Sequence, residues 1–306
     1  MNPSSPILVT GSPRSGTTWV GKMIAASSIV GYIWEPFNLS HRPGVCGAEF
    51  PYWFTHVSEK NEAPFYEHLK HTLSFRYGLH RELRALRSIR DVWRMIKQYR
   101  QVTQFRRVHR RPLMKDPCAL FSAEWLAKRF NMQVVIMIRH PMAFACSMDV
   151  LKWPFPFLHL LKQPLLMETH LHPFEGEIQE YATHTHSIMD QALLAWRLFY
   201  HTIHTFKNQH PTWIFVRQED LAKAPLEGFE ALYTQLGLPF TETVRQIIVR
   251  HTRQGNPRGF PGAKTIIRDS RATIATWKAR YSKDERTRMK ASVEDISRFF
   301  YSDSDW

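Results

Sequence analysis

The sequence has few cysteines, and their spacing argues against two kinds of stabilising site. Only Cys46, Cys118 and Cys146 occur in 306 residues, and none has C-x-x-C spacing. Because the cysteines are few and odd in number, they favour neither a disulfide framework nor a zinc site, and they fit a reducing compartment. No apolar run reaches the roughly 18 residues of a membrane-spanning helix, and no basic and apolar leader precedes residue 7. We therefore expect a soluble, cytoplasmic protein.

Repeats, long low-complexity segments and breaks in composition are also missing. With 43% hydrophobic residues, the chain can bury a sizeable core, and we expect one α/β domain over residues 1–306, with a central, mostly parallel sheet flanked by helices. Its 41 Lys and Arg against 27 Asp and Glu give a net charge of +14. This charge raises the local concentration of anions, but it does not choose between nucleotides, polyanions and acidic membrane surfaces.

A glycine-bounded loop between a short apolar strand and a helix is the most informative stretch. Gly11 and Gly16 enclose four residues, and Thr17 and Thr18 open the helix. The loop N–H groups and the positive helix end favour a bound phosphate. The spacing is that of Gly-x-x-x-x-Gly-Lys-[Ser/Thr], except that Thr17 replaces the lysine and Arg14 lies inside the loop. Since that lysine reaches the β- and γ-phosphates, its absence predicts a ligand with a single phosphate in the cradle.

A second anion site is predicted after the clearest central strand, residues 133–138. Arg139 ends this strand, and His140 and Pro141 turn the chain into a helix that carries Ser147. The turn brings the helix back over the strand end, and a guanidinium binds phosphate bidentately. We therefore expect Arg139 and Ser147 to meet on one anion.

Two further charged residues end predicted strands. Pro36 holds Glu35 at the carboxyl end of the strand at 29–34, where open α/β sheets bind ligands and where a carboxylate can act as a base. Lys115 ends a strand before Asp116 and Pro117. It lies either near a transferred group or in a structural contact with Asp116.

These motifs resemble those of the sulfotransferases that use 3′-phosphoadenosine 5′-phosphosulfate (PAPS). Residues 13–19 resemble the 5′-phosphosulfate loop, and Arg139 and Ser147 resemble the 3′-phosphate motif. The Glu35-Pro36 pair resembles that of the carbohydrate sulfotransferases, in which the glutamate is the suspected base. Trp277 and Lys278 match a late Trp-Lys/Arg pair that closes over the donor.

The resemblance implies a P-loop-like fold, PAPS as donor, 3′,5′-ADP as product and no metal. Catalysis would fall to Glu35, Arg14 and Lys115, and a histidine of the irregular loops stays open as an alternative base to Glu35. The implied donor-binding residues are Ser12, Pro13, Arg14, Ser15, Gly16, Thr17, Thr18, Arg139, Ser147, Arg271, Trp277 and Lys278. Arg268 and Ser270 are weaker candidates for the 3′-phosphate.

Several segments match nothing specific. Residues 39–107 and 151–175 are expected to be irregular cover for an acceptor. Within the first, the apolar spacing at 65–107 predicts one or two amphipathic helices with a basic outer face, which is either a docking surface for an acidic acceptor, nucleic acid or anionic lipid, or simply solvated. The four histidines at 170, 172, 184 and 186 lack a clear tetrahedral ligand set, which disfavours a metal site. Residues 178–206 and 283–300 each predict one helix.

The function predicted from the sequence is sulfuryl transfer from PAPS to a hydroxyl or amine of a small-molecule, glycan or lipid acceptor. A P-loop nucleotide kinase or NTPase explains only the loop, and a non-enzymatic polyanion-binding protein explains only the charge. No specific nucleic acid partner is expected. Peripheral membrane contact and the oligomeric state are left open.

Overall fold

The computed structural model describes residues 5–256 and 269–306. Five strands form one parallel sheet: β1 (Ile7–Gly11), β2 (Val30–Trp34), β3 (Arg111–Lys115), β4 (Gln133–Ile138) and β5 (Ile214–Arg217). Their order in the sheet is β2-β3-β1-β4-β5, and each neighbouring pair is parallel. The central parallel sheet predicted from the sequence is therefore confirmed. The chain reverses its direction of travel across the sheet beside β1, and open α/β sheets bind ligands at such a point.

Helices cover both faces of the sheet, as a parallel sheet requires. The α-helices are α1 (Thr17–Ile24), α2 (Tyr66–Leu73), α3 (Leu79–Arg84), α4 (Ile89–Arg107), α5 (Ala123–Phe130), α6 (Pro141–Val150), α7 (Phe157–Leu161), α8 (Pro164–Leu166), α9 (Glu175–Thr183), α10 (Ile188–Gln209), α11 (Gln218–Lys223), α12 (Pro225–Gln235), α13 (Glu242–Thr252), α14 (Lys283–Ala291) and α15 (Glu294–Ser297). Short segments of other helix types occur at Pro117–Ser122, Met167–Leu171, His172–Phe174, Arg271–Thr273 and Asp303–Asp305. None of the helices in the described ranges is both long and apolar enough to cross a membrane.

Alternate residues of each strand enter two separate cores. Leu8, Met114 and Ile136 belong to the larger core, which includes side chains of α6 and α10 such as Phe199. Val9 and its neighbours on the opposite face pack with α1, α12 and α13. This alternation follows from the two-residue period of a strand, and it leaves the strand ends as the place where polar side chains gather.

The predicted helix boundaries were wrong in three regions. Residues 65–107 form three helices rather than irregular cover or one or two helices, because the chain takes a left-handed turn at Phe75 and Ser88 caps a new helix by accepting a bond from the Asp91 N–H. Residues 178–206 are divided between α9 and α10, since His184 is extended and Ser187 caps α10. The C-terminal helix is likewise divided into α14 and α15. Residues 39–63 are irregular as expected, whereas 151–175 contain several short helical pieces.

Candidate active site

The predicted site residues lie at the carboxyl ends of four neighbouring strands. Glu35 follows β2, Lys115 ends β3, the loop at 12–16 follows β1, and Arg139 follows β4. Strand register pairs Trp34 with Lys115 and Lys115 with Val9. Because the strands are parallel, these side chains and the loop share one edge of the sheet.

The loop after β1 has the tight backbone that its glycines predicted. Gly11 has a φ of 140°, and a Cβ there would lie 2.5 Å from the Met137 carbonyl oxygen, so only glycine fits. Arg14 and Gly16 also have positive φ, 63° and 94°. The Ser15 hydroxyl donates to the Ser12 carbonyl at 2.7 Å and holds the turn. Such alternation of backbone conformations directs successive N–H groups into one concavity that suits an anion.

The helix that follows adds its positive end to this concavity. Gly16 stands at the N-cap of α1 and no side chain caps the helix there. The first N–H groups of a helix have no partners within it and attract anions. Thr17 is buried whereas Thr18 is exposed, and Ser12, Pro13 and Ser15 are buried. The loop can therefore hold one phosphate or sulfate group.

Two arginines and a serine that the sequence assigned to two anion sites lie in direct contact. The Arg14 Nε donates to the Ser147 hydroxyl at 2.9 Å, and an Arg139 Nη donates to the Arg14 carbonyl oxygen. The Arg139 Nε is buried and has no hydrogen-bond partner among the described residues. Burial lowers the pKa of Arg139. A buried guanidinium donor without a partner is stabilised by an anion, so these residues fit a phosphate group.

Two aromatic side chains of α10 hold the backbone of Arg139, and they are not among the site residues predicted from the sequence. The Arg139 N–H donates to the Tyr200 hydroxyl at 2.5 Å, and the Trp196 Nε1 donates to the Arg139 carbonyl at 3.0 Å. The signal that could have found them is chemical: a buried Tyr or Trp needs a polar partner, and strand ends supply unpaired backbone groups.

The next residue is fixed by a carboxylate and an aromatic cluster. The backbone N–H of His140 donates to Glu219 Oε1 at 2.8 Å. The imidazole ring of His140 stacks on the Trp277 ring, with the ring centres 4.8 Å apart. Burial lowers the pKa of His140 to about 3, so the ring is neutral at physiological pH. Trp277 is therefore a buried packing partner of the residue after Arg139, and the Lys278 Nζ lies 5.3 Å from the Trp277 ring centre.

The remaining candidates for the 3′-phosphate are less clearly placed. Arg271 is exposed and its Nε donates to the Lys223 carbonyl at 2.9 Å, and the buried Ser270 hydroxyl donates to the Ala222 carbonyl at 3.0 Å. Arg268 lies outside the described residues. A donor contact from this segment stays a prediction.

Glu35 and Lys115 form an ion pair, which sequence reasoning missed. The Lys115 side chain is fully buried and its Nζ donates to Glu35 Oε1, while the Asn38 Nδ2 donates to Glu35 Oε2 at 2.7 Å. Glu35 has a φ of 42°, which is uncommon for a residue other than glycine, and its N–H donates to the Lys115 carbonyl at 2.9 Å. The carboxylate is thus held in one orientation at the sheet edge.

Asp116 is not the hydrogen-bond partner of Lys115 that one reading of the sequence proposed. Its carboxylate accepts from the N–H groups of Phe37 at 2.6 Å and Cys118 at 2.9 Å. Complete burial raises its pKa to about 7. Asp116 therefore anchors the chain after Glu35. The Glu35–Lys115 pair could have been found from the sequence, since both residues end neighbouring parallel strands.

An apolar cavity of about 80 Å³ opens beside the loop. All eight residues that line it are apolar, and they include Pro13 of the loop together with Trp53, Met148, Trp153 and Phe155. The walls come from the irregular segment at 39–63 and from residues 153–156, two regions that the sequence suggested as acceptor cover. Trp153 remains 38% exposed and so lies at an open side.

The histidines do not gather into a metal centre. His170 is buried against His56, with the ring centres 5.1 Å apart, and burial lowers its pKa to about 3. His172 and His184 are exposed. Within residues 5–256 and 269–306, no group of three or more His, Cys, Asp or Glu side chains could hold a metal ion.

Comparison with known proteins gives one family. The model of the sulfotransferase family matches residues 6–242. Mouse (Mus musculus) carbohydrate sulfotransferase 1 is 35% identical over 79 residues, which are 24% of this chain and only 19% of that protein. The sulfotransferase domain of the Synechococcus PCC 7002 olefin synthase is 16% identical, with a TM-score of 0.50 over 97% of this chain and 95% of that one. The sulfotransferase domain of the curacin biosynthetic pathway is 18% identical, with a TM-score of 0.48 over 95% of this chain and 97% of that one. At sequence identities this low, a likeness between structures is evidence of the fold alone.

Proposed function

This chain belongs to the sulfotransferase family, and on that premise we propose that it moves a sulfuryl group from PAPS to a hydroxyl or amine of an acceptor that carries an apolar group. The observation that supports the donor best is the contact between Arg14, Arg139 and Ser147. It joins the phosphate loop to the strand end that the 3′-phosphate motif occupies. Neither a nucleotide kinase nor a polyanion-binding protein accounts for this joint arrangement.

Donor binding is divided between the loop and the strand end. The N–H groups of residues 14–18, together with Arg14, would hold the 5′-phosphosulfate. Ser147 and the buried, unpaired Nε of Arg139 would hold the 3′-phosphate. Each charge-assisted bond to such a group contributes about 1.5–3 kcal/mol. The donor would thereby be distinguished from nucleotides that lack a 3′-phosphate.

PAPS supplies a sulfuryl group on a phosphate leaving group, so that an acceptor oxygen or nitrogen forms a new bond to sulfur while the bond from sulfur to the 5′-phosphate oxygen breaks. Glu35 removes the acceptor proton, and Lys115 and Asn38 hold its carboxylate in place. Arg14 and the loop N–H groups stabilise the charge that develops on the leaving phosphate. We expect this reaction to need no metal.

The acceptor side of the proposal rests on the cavity beside Pro13. A cavity of about 80 Å³ has room for only a few carbon atoms, and its lining of apolar residues offers few hydrogen-bond partners to the hydroxyl groups of a sugar. We therefore expect a hydrophobic portion of the acceptor in this cavity, with its hydroxyl or amine directed towards the loop. Binding there gains about 0.8 kcal/mol for each buried CH₂ group.

An acceptor screen with sulfur-labelled PAPS tests the function. The panel would pair hydrophobic alcohols and amines with sugars of similar size, and label transfer would be counted. We expect transfer to the hydrophobic members, and about tenfold loss of kcat/KM in Trp153→Ala, with little change in the control Phe299→Ala at another exposed aromatic. Transfer to sugars only would overturn the acceptor class. If 3′,5′-ADP also fails to bind, the donor assignment fails as well.

A further inference from the structure

The segment at residues 79–110, here called the basic segment, carries more than half of the net charge of the chain. It contains ten Lys and Arg against two Asp and Glu, a net charge of +8 of the total +14. The segment comprises α3, the turn after it, α4 and the three residues that follow α4. None of the residues assigned to donor binding or catalysis lies in it. Its charge therefore calls for a separate explanation.

Both acidic residues of the basic segment form ion pairs with one arginine from outside it. Arg42 forms ion pairs with Glu82, whose side chain is fully buried, and with Asp91. Glu82 also accepts from the Gly44 N–H at 2.8 Å. These carboxylates hold α3 and α4 against the irregular segment before α2. Asp91 also lies 3.8 Å from Arg94, but neither carboxylate pairs with Arg90, Lys97 or Arg100 in the described part of the chain.

The outer face of α4 combines these arginines with large apolar side chains that are open to solvent. Ile89 is 77% exposed and Trp93, one turn later, is 70% exposed. At 100° per residue, Arg90, Lys97 and Arg100 lie on the same side of the helix, and all three are exposed. On the other side, Met95 is buried. Apolar residues thus lie on two faces of α4, and only one of these faces packs on the protein.

We propose that this face of α4 docks on the surface of an anionic phospholipid bilayer. Arginines and lysines are attracted to lipid phosphates, and each contributes substantially near an anionic surface. Ile89 and Trp93 would enter the boundary between headgroups and acyl chains, where tryptophan is favoured. Duplex nucleic acid or an acidic protein would pair with the charges, but it would offer no hydrocarbon layer in which the Ile89 and Trp93 side chains could be buried. This docking does not depend on the sulfuryl transfer reaction.

Vesicle sedimentation with the full chain tests the proposal. One set of vesicles is phosphatidylcholine alone, and the other contains about one third phosphatidylglycerol. Because the whole chain is basic, the decisive comparison is between variants with equal charge. Arg90→Ala/Lys97→Ala on α4 is matched by Lys283→Ala/Arg288→Ala on α14, whose side chains are also exposed. Trp93→Ser is matched by the exposed aromatic Phe299→Ser.

We expect binding to the anionic vesicles only, weakened about tenfold or more by Arg90→Ala/Lys97→Ala and by Trp93→Ser. Both control variants should bind within about twofold of the unmodified protein. Unchanged thermal unfolding would show that the α4 variants remain folded. If the matched control variants lost as much vesicle binding, net charge alone would explain the effect and the proposal would be overturned. It would also fail if no vesicles are bound, or if a DNA duplex is bound more tightly than the anionic vesicles.

Discussion

Replacing Glu35 by Gln tests the proposed base, and the ion pair makes its effects separable. The change removes the negative charge and keeps the size of the side chain. General-base catalysis contributes about 10²–10⁴-fold, so we expect kcat to fall by that factor. The affinity for 3′,5′-ADP should stay nearly unchanged, because Glu35 follows β2, which is separated from β1 and its loop by β3.

The same substitution also leaves the Lys115 ammonium buried without its counter-charge. The Lys115 side chain has no exposed surface and that of Glu35 has 13%. Removing one partner of a buried pair costs about 3–5 kcal/mol, and the partial exposure of Glu35 favours the lower end. A loss of turnover in Glu35→Gln alone could therefore reflect instability. The double variant Glu35→Gln/Lys115→Met removes both charges and should recover most of the stability without recovering turnover.

Steady-state kinetics and denaturant unfolding of three variants separate the two effects. Besides the single and double variants at Glu35 and Lys115, Glu82→Gln serves as the matched control. It breaks the buried pair with Arg42, outside the sheet edge. We expect Glu82→Gln to lose stability and keep kcat. Near-normal turnover in Glu35→Gln, or recovered turnover in the double variant, would refute the assignment of Glu35 as the base.

Three further predictions concern the loop, the metal requirement and acid stability. Gly11→Ala should weaken 3′,5′-ADP binding at least tenfold in calorimetry, since a Cβ would lie 2.5 Å from the Met137 carbonyl; Gly176→Ala, where nothing lies within 4 Å, should bind normally. Turnover should survive EDTA, whereas a strict Mg²⁺ requirement with ATP hydrolysis would place the chain among kinases. His170 has a folded pKa of about 3 against an ordinary value of 6.5, so the unfolded chain binds the proton first and stability falls as the pH drops through this window. His170→Phe should reduce that slope by up to about 1.4 kcal/mol per pH unit, measured by denaturant unfolding at several pH values; an unchanged slope would contradict the shift.

The features that the sequence could predict are local. The backbone of the loop follows from two glycines and a strand before them, and the position of Arg139 follows from a continuous apolar strand. Parallel strands then bring their carboxyl ends to one edge without any further information. The sheet, the loop and the helix that carries Ser147 were accordingly foreseen.

The features that could not be predicted depend on which strands are neighbours and which helix face is buried. The Arg14–Ser147 bond joins residues 133 positions apart, and it requires β4 to lie beside β1. One of the two readings of Lys115 placed it in contact with Asp116, its neighbour in the chain, whereas the sheet places Lys115 beside Glu35. In α4 the apolar period was recognised, but periodicity does not tell which residues pack on the protein, and Ile89 and Trp93 proved to be exposed.

Calorimetric titration with 3′,5′-ADP and with 5′-AMP tests the donor assignment most directly, since the two ligands differ only in the 3′-phosphate. We predict that 3′,5′-ADP binds at least tenfold more tightly, and that Arg139→Ala removes most of this preference, because one charge-assisted contact is worth about 1.5–3 kcal/mol. Equal affinity for the two nucleotides in the unmodified protein would contradict it.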